Sequence, residues 1–146
     1  MTIRLLIADD HAVMRAGIAA MLAYDTDISI VGEANDGLEA VAKFELLKPD
    51  VVLMDLRMPK LDGIGAIREI TSAHPNARIL ALTTYEGDAD IFRALSAGAV
   101  GYLVKDILGD ALTEGIRSAA AGKKVIPPSV AQTLAEFTPR IELTAR

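Results

Sequence analysis

The chain has 146 residues, 51% hydrophobic and 24% charged, with a net charge of −5 from 15 bases and 20 acids. That length suits one domain with a sizeable core, and the apolar content is too high for a disordered chain. Lack of cysteine excludes a disulfide scaffold, a thiolate zinc site, an iron–sulfur cluster and a cysteine nucleophile, and the acidic balance excludes a whole-chain basic footprint for nucleic acid.

The first apolar run, Ile3–Ala8, predicts a buried strand. It stops at Asp9-Asp10, too short for a signal-peptide core, and no later run is long enough to span a membrane, so the chain reads as cytoplasmic. Helical spacing follows at Val13, Ile18, Met21 and Leu22. A second strand is predicted over Ile28–Ala34. Asn35-Asp36-Gly37 then opens a helix with a capping residue, carried on by Leu38, Val41, Ala42 and Phe44 and closed by Lys48-Pro49-Asp50. The third strand is Val51–Met54, and its helix runs through Ile64, Ile67 and Ile70 to a stop at His74-Pro75-Asn76. The fourth strand is Arg78–Leu82, followed by a helix through Ile91 and Leu95 that ends at Ala97-Gly98-Ala99. Val100–Val104 is the fifth strand, and Ala111, Leu112 and Ile116 mark the last helix of the series. The runs begin about 22–27 residues apart. This alternation means βαβ units and a parallel sheet covered on both faces. After Gly122 the pattern breaks at Lys123–Pro128; Ser129–Phe137 is a short helix candidate, and Thr138-Pro139-Arg140 is linker-like.

Ligands of open parallel sheets bind at the carboxyl ends of the strands. Asp9 and Asp10 end the first strand, Asp55 the third, Thr83 and Thr84 the fourth, and Lys105 the fifth. Each feature alone has a plainer reading: a solvated strand end for the acids, turn residues for the threonines, a surface lysine for Lys105. His11 reads as a helix-start residue rather than a ligand, and Met54 and Met58 as packing. Gly63-Ile64-Gly65 lacks the third glycine and the tight strand turn of a dinucleotide fingerprint. Convergence on one rim lifts the functional reading. Adjacent carboxylates repel and raise one another's pKa, and a divalent cation such as Mg²⁺ resolves the conflict. A lysine beside them suits a phosphoryl group, and one carboxylate is a candidate nucleophile for an aspartyl phosphate.

At these residues the sequence resembles the receiver domain of two-component response regulators. The resemblance spans residues 3 to about 120. Its motifs are Leu6-Ile7-Ala8-Asp9-Asp10-His11, the run from Val52 through Asp55 to Met58-Pro59 and Asp62-Gly63, Ala81-Leu82-Thr83-Thr84, and the run from Ala97-Gly98 through Tyr102 to Lys105. It implies an α/β fold: a doubly wound, flavodoxin-like sheet of five parallel strands, order 2-1-3-4-5, with helices on both faces. It also implies that Asp55 is the phosphoacceptor. Mg²⁺ (or Mn²⁺) would be bound by Asp10, Asp55 and the Arg57 backbone carbonyl, with Asp9 acting largely through water. Thr83 would hydrogen-bond a phosphoryl oxygen and Lys105 would neutralise another, while Tyr102 matches an aromatic that swings inward on activation. Arg57 and Tyr85 occupy the positions that flank attacking water and tune phosphoryl lifetime. A cis Lys105–Asp106 bond is expected in a well-ordered site. The implied partners are a sensor histidine kinase and, weakly, a second copy of the chain.

Asp10-His11, Lys105-Asp106 and the final Leu143-Thr144-Ala145-Arg146 resemble NarL/LuxR-type regulators, in which Leu-Thr-x-Arg begins a DNA-binding helix-turn-helix domain. The expected organisation is a receiver over residues 1–122, then a linker with a short helix over 123–146 that leads to a DNA-binding domain not present here. Residues 1–122 carry 11 bases and 18 acids, and 123–146 carry 4 and 2, so the acidity belongs to the receiver. Three other functions fit less well. A haloacid-dehalogenase-type phosphohydrolase needs an acid two positions after the nucleophile, where Arg57 stands. A flavin-mononucleotide binder needs a phosphate loop where Asp9-Asp10-His11 would repel it. A pseudo-receiver would lack part of the Asp, Thr and Lys set. The expected protein is therefore not an enzyme beyond Mg²⁺-dependent self-phosphorylation and autodephosphorylation.

Overall fold

A computed structural model describes residues 2–84, 88–105 and 108–126. Five strands alternate with five helices: β1 (Ile3–Ala8), α1 (Ala12–Met21), β2 (Ile28–Ala34), α2 (Gly37–Leu47), β3 (Val51–Asp55), α3 (Gly63–Ala73), β4 (Ile79–Thr83), α4 (Asp88–Ala97), β5 (Gly101–Val104) and α5 (Gly109–Ala120). The strands pair in parallel in the order β2-β1-β3-β4-β5. Among the described residues no helix is long and apolar enough to cross a membrane.

Side chains alternate across a strand, so each strand feeds two cores. Leu6, Ala8, Val52, Met54, Ala81 and Tyr102 face one way, onto Phe44 of α2, Ile64, Ile67 and Ile70 of α3, and Ile91 and Ala94 of α4. Leu5, Ile7, Val51, Leu53, Leu80 and Leu82 face the other way, onto Ile18 of α1 and Leu112, Ile116 and Ala119 of α5. That two-sided burial is why β3, β4 and β5 are buried along their whole length. The second strand departs from the expectation of continuous burial: only Ile28 and Ala34 are buried in β2. It forms one edge of the sheet with β1 as its only strand neighbour, whereas β5, at the other edge, is covered by the segment carrying Val125.

The helix starts follow local chemistry. Asp36 caps α2 by accepting from the Glu39 N–H at 2.8 Å, and Asp62 caps α3 by accepting from the Gly65 N–H at 2.7 Å. His11 precedes α1 in extended conformation and makes no side-chain cap.

The chain past Gly122 stays on the folded body through Ile126. Val125 forms a parallel bridge to Gly101, its N–H donating to the Val100 carbonyl at 3.0 Å and its carbonyl accepting from the Tyr102 N–H at 2.9 Å. Any side chain at residue 101 would run into the Val125 backbone, so this docking requires glycine at that position. Val125 packs on one core and Ile126 on the other. The helix candidate Ser129–Phe137 and the terminal Leu143–Arg146 motif lie outside the described residues.

Candidate functional site

The carboxyl ends of β1, β3, β4 and β5 bring together the residues expected to share a rim. Asp9 is fully buried, and Asp55 and Thr83 are buried. Asp10 and His11 lie on the surface. The Lys105 ammonium reaches in from the end of β5 to sit 2.8 Å from Asp9 Oδ2 and 3.2 Å from Asp55 Oδ2, with its side chain only 7% exposed. Asp9 is held from its other side as well: its Oδ1 accepts from the His11 N–H at 2.8 Å, and its backbone carbonyl accepts from Arg15 Nη1 at 2.6 Å. Asp55 Oδ1 accepts from the Arg57 N–H at 3.3 Å.

Backbone packing places Asp55. A Cβ at Gly63 would overlap the Asp55 carbonyl, so α3 begins in contact with the end of β3. The close approach explains the first glycine of the Gly63-Ile64-Gly65 pair without any nucleotide.

Two buried carboxylates share one ammonium, and the imbalance shows at Asp55. Burial, then the Asp9 charge, pushes the Asp55 carboxyl up to about 6, against the opposing pull of Lys105 and the Arg57 N–H. Burial acts to lower the Lys105 ammonium, but contact with Asp9 and the charges of Asp55 and Asp9 outweigh it and hold it above its ordinary value.

Ligand atoms of Asp9, Asp10, His11 and Asp55 all lie within 4.8 Å of one another. The buried oxygens Asp9 Oδ2 and Asp55 Oδ2 accept no hydrogen bond of good geometry. An oxygen-rich set with excess negative charge fits a hard divalent cation. His11 starts the helix as expected, but its exposed ring also leans on the acids, with Nδ1 3.0 Å from Asp10 Oδ1 and 3.2 Å from Asp9 Oδ1.

A pocket of about 150 Å³ opens over these groups, lined by His11, Asp55, Arg57, Thr83, Asp90 and Lys105 among others. Thr83 lies on its wall, and Thr84 beside it is exposed. Tyr102 is fully buried within the core on the α3–α4 side of the sheet. Sequence reasoning missed Asp90, which reaches the pocket from α4 and pairs with Arg57 at 2.8 Å. No spacing rule links residues 57 and 90; only the fold does. Tyr85 and the Lys105–Asp106 bond lie outside the described residues.

The family model described as the response regulator receiver domain matches residues 5–117. The chain is 43% identical over 123 residues to the transcriptional regulatory protein YxjL of Bacillus subtilis, covering 84% of this chain and 56% of that protein. It is 41% identical to the response regulator GacA of Pseudomonas viridiflava, covering 95% of this chain and 66% of that one. The chain thus spans roughly half to two thirds of the length of these curated relatives. Among solved structures, a LuxR-family two-component response regulator from Aurantimonas superposes with a TM-score of 0.87 at 35% identity, covering 94% of this chain and 98% of that one. The isolated receiver domain of RcsB from Salmonella, solved with the phosphomimetic BeF3⁻, gives 0.81 at 29% identity, covering 90% and 98%. With the sheet order, the match over residues 5–117 and these LuxR-type neighbours, the chain belongs to the response regulator receiver domain family of two-component systems.

Proposed function

We propose that this chain is a phosphorylatable switch in which Asp55 accepts a phosphoryl group from a sensor histidine kinase. The observation that supports it most is the buried Asp9–Lys105–Asp55 ion-pair set at the strand ends, opening to a pocket. An Asp55 carboxylate oxygen attacks phosphorus, the bond from phosphorus to the donor nitrogen breaks, and the donor imidazole leaves with a proton. Lys105 neutralises one phosphoryl oxygen and the Thr83 hydroxyl donates to another. Asp10, Asp55 and the Arg57 carbonyl would hold Mg²⁺ or Mn²⁺, with Asp9 acting through water. The chemistry a bound cation supplies is charge neutralisation at the phosphoryl oxygens and between the carboxylates.

The phosphoryl group carries about −2 on the precedent of a phosphate monoester, in place of the single charge of the carboxylate; it draws Thr83 toward Asp55 and favours the enclosed position of Tyr102. Tyr102 donates its backbone N–H to Val125, so the same residue touches the start of the chain that leaves the receiver. The output we assign is a LuxR-type DNA-binding domain, joined through residues 123–146 to a receiver of residues 1–122, with a weak homodimer as a further partner state. Turnover is confined to the chain's own aspartyl group, by self-phosphorylation and autodephosphorylation; Arg57 offers no acid for a hydrolase.

The test is incubation with a small phosphodonor and Mg²⁺, followed by mass measurement. An acid-stable, base-labile phosphoryl adduct is expected on the wild type and is absent from Asp55→Asn. Failure to form that adduct, or its persistence in the variant, rejects the reading.

A further inference from the structure

We infer that Arg57 is a second phosphoryl-recognising cation, held away from Asp55 by an ion pair with Asp90 that the phosphoryl group displaces. The inference rests on the phosphoryl-accepting role of Asp55. Arg57 stands two residues beyond Asp55, and its backbone N–H already contacts that carboxylate. Its guanidinium instead crosses to α4, where Nη2 lies 2.8 Å from Asp90 Oδ2. Both side chains line the pocket that holds Asp55, Thr83 and Lys105. Among the lining residues of that pocket, Arg57 and Lys105 are the cations of fixed charge.

Charge balance favours the exchange. Lys105 is already shared between Asp9 and Asp55, so a phosphoryl group that draws on it divides that charge with Asp9. Asp90 offers Arg57 one negative charge. A phosphoryl group offers about two, with several oxygens that suit the fork of a guanidinium. The Arg57 side chain is 74% exposed, so moving it disturbs no packing, and the pair it leaves is a surface pair of small worth. Asp90 keeps a second neighbour, Arg93 Nη1 at 3.7 Å, after Arg57 departs. The exchange unties α4 from the segment after β3, and it places a bulky cation where water must approach phosphorus.

The test measures beryllofluoride affinity in the presence of Mg²⁺, by calorimetry and by fluorine NMR, on the wild type, Asp90→Asn, Arg57→Ala, Arg57→Lys and the Asp90→Asn/Arg57→Ala double variant. Asp90→Asn is expected to tighten binding about 3-fold by releasing Arg57, and Arg57→Ala to weaken it about 5-fold. Arg57→Lys, which keeps the charge but loses the fork, falls between. In the Arg57→Ala background, Asp90→Asn produces no gain. A gain that persists undiminished there would mean that Asp90 acts only as a nearby negative charge, and the latch is then wrong. The latch is equally wrong if Asp90→Asn or Arg57→Ala leaves affinity unchanged. A wild type that binds Mg²⁺ but no beryllofluoride rejects the phosphoryl reading itself, and the latch with it. Thermal melts of each variant without ligand separate these outcomes from misfolding.

Discussion

Two charge clusters of similar make-up sit at different depths in this molecule. At the strand ends, Asp9, Asp55 and Lys105 lie under cover with two anions to one cation. On the surface, Glu45 accepts from Lys48 Nζ at 2.9 Å and pairs with His74 Nε2 at 2.6 Å, which ties α2 to the end of α3. The carboxyls respond in opposite directions. Burial, then Asp9, raises Asp55 to about 6, whereas the Lys48 and His74 contacts hold Glu45 below its ordinary value. Partner count and solvent decide the sign. The surface cluster is satisfied as it stands, and the buried one is left short of positive charge, which is the condition for holding a hard cation.

The strongest way to break the contrast is Lys105→Met. Removing the ammonium leaves two buried carboxylates without a cation, and denaturant melts at neutral pH should show a loss of about 3 kcal/mol. The loss should shrink at mildly acid pH, where Asp55 takes up a proton. Equal losses at both pH values would mean that Lys105 contributes through packing alone.

The next effect has the opposite sign. A carboxyl raised in the folded state binds a proton more readily there than in the unfolded chain. Its contribution is present below the unfolded value of 3.8 and is lost as pH rises through about 6. Metal-free Asp55→Asn should therefore be more stable than the wild type at neutral pH, by about 1–2 kcal/mol after screening, and should lose this advantage toward pH 4. Saturating Mg²⁺ should close the gap by stabilising the wild type alone, as a ligand of the native state does. A neutral-pH melt in which Asp55→Asn is the less stable protein contradicts this account.

The smallest effect belongs to the surface cluster. Glu45 is lowered, so its contribution is present above its ordinary value of 4.5 and is lost as pH falls through the folded value. Glu45→Gln should lower the melting temperature slightly at neutral pH in low salt and not at all in high salt. A salt-independent loss would show that the pair to His74 acts through packing against Phe44, whose ring centroid lies 5.1 Å from that of the histidine.

Much of this was legible in the chain itself. Apolar runs of about the right length at a steady period identified every strand, because strands buried on both faces need continuous apolar residues. Asp36-Gly37 announced the start of α2 through capping chemistry that is local to a few residues. The partial exposure of β2 was not legible, since an edge left uncovered depends on strand order and on what packs beside it rather than on the strand's own residues. The placement of Asp9, Asp55, Thr83 and Lys105 on one rim was legible because each directly follows or ends a strand, and one rule about strand ends gathers them. Asp90 and the contact of the His11 ring with Asp9 and Asp10 escaped that rule. The first lies on a helix 33 positions from its partner, and the second depends on a side-chain rotamer. Docking of Val125 on β5 escaped for a related reason: Lys123–Pro128 reads as a break in pattern, and backbone pairing across an edge leaves little trace in side-chain type.

The alternation of strand and helix, the polar rim and the family motifs are written in the chain, because all of them rest on periodicity and on residues read within a few positions of each other. The assembled fold settles how one ammonium is divided between two buried carboxylates, how far burial raises Asp55, and which distant acid holds Arg57. Those outcomes depend on distance and solvent exclusion, and both are properties of the assembled sheet rather than of any segment of the chain.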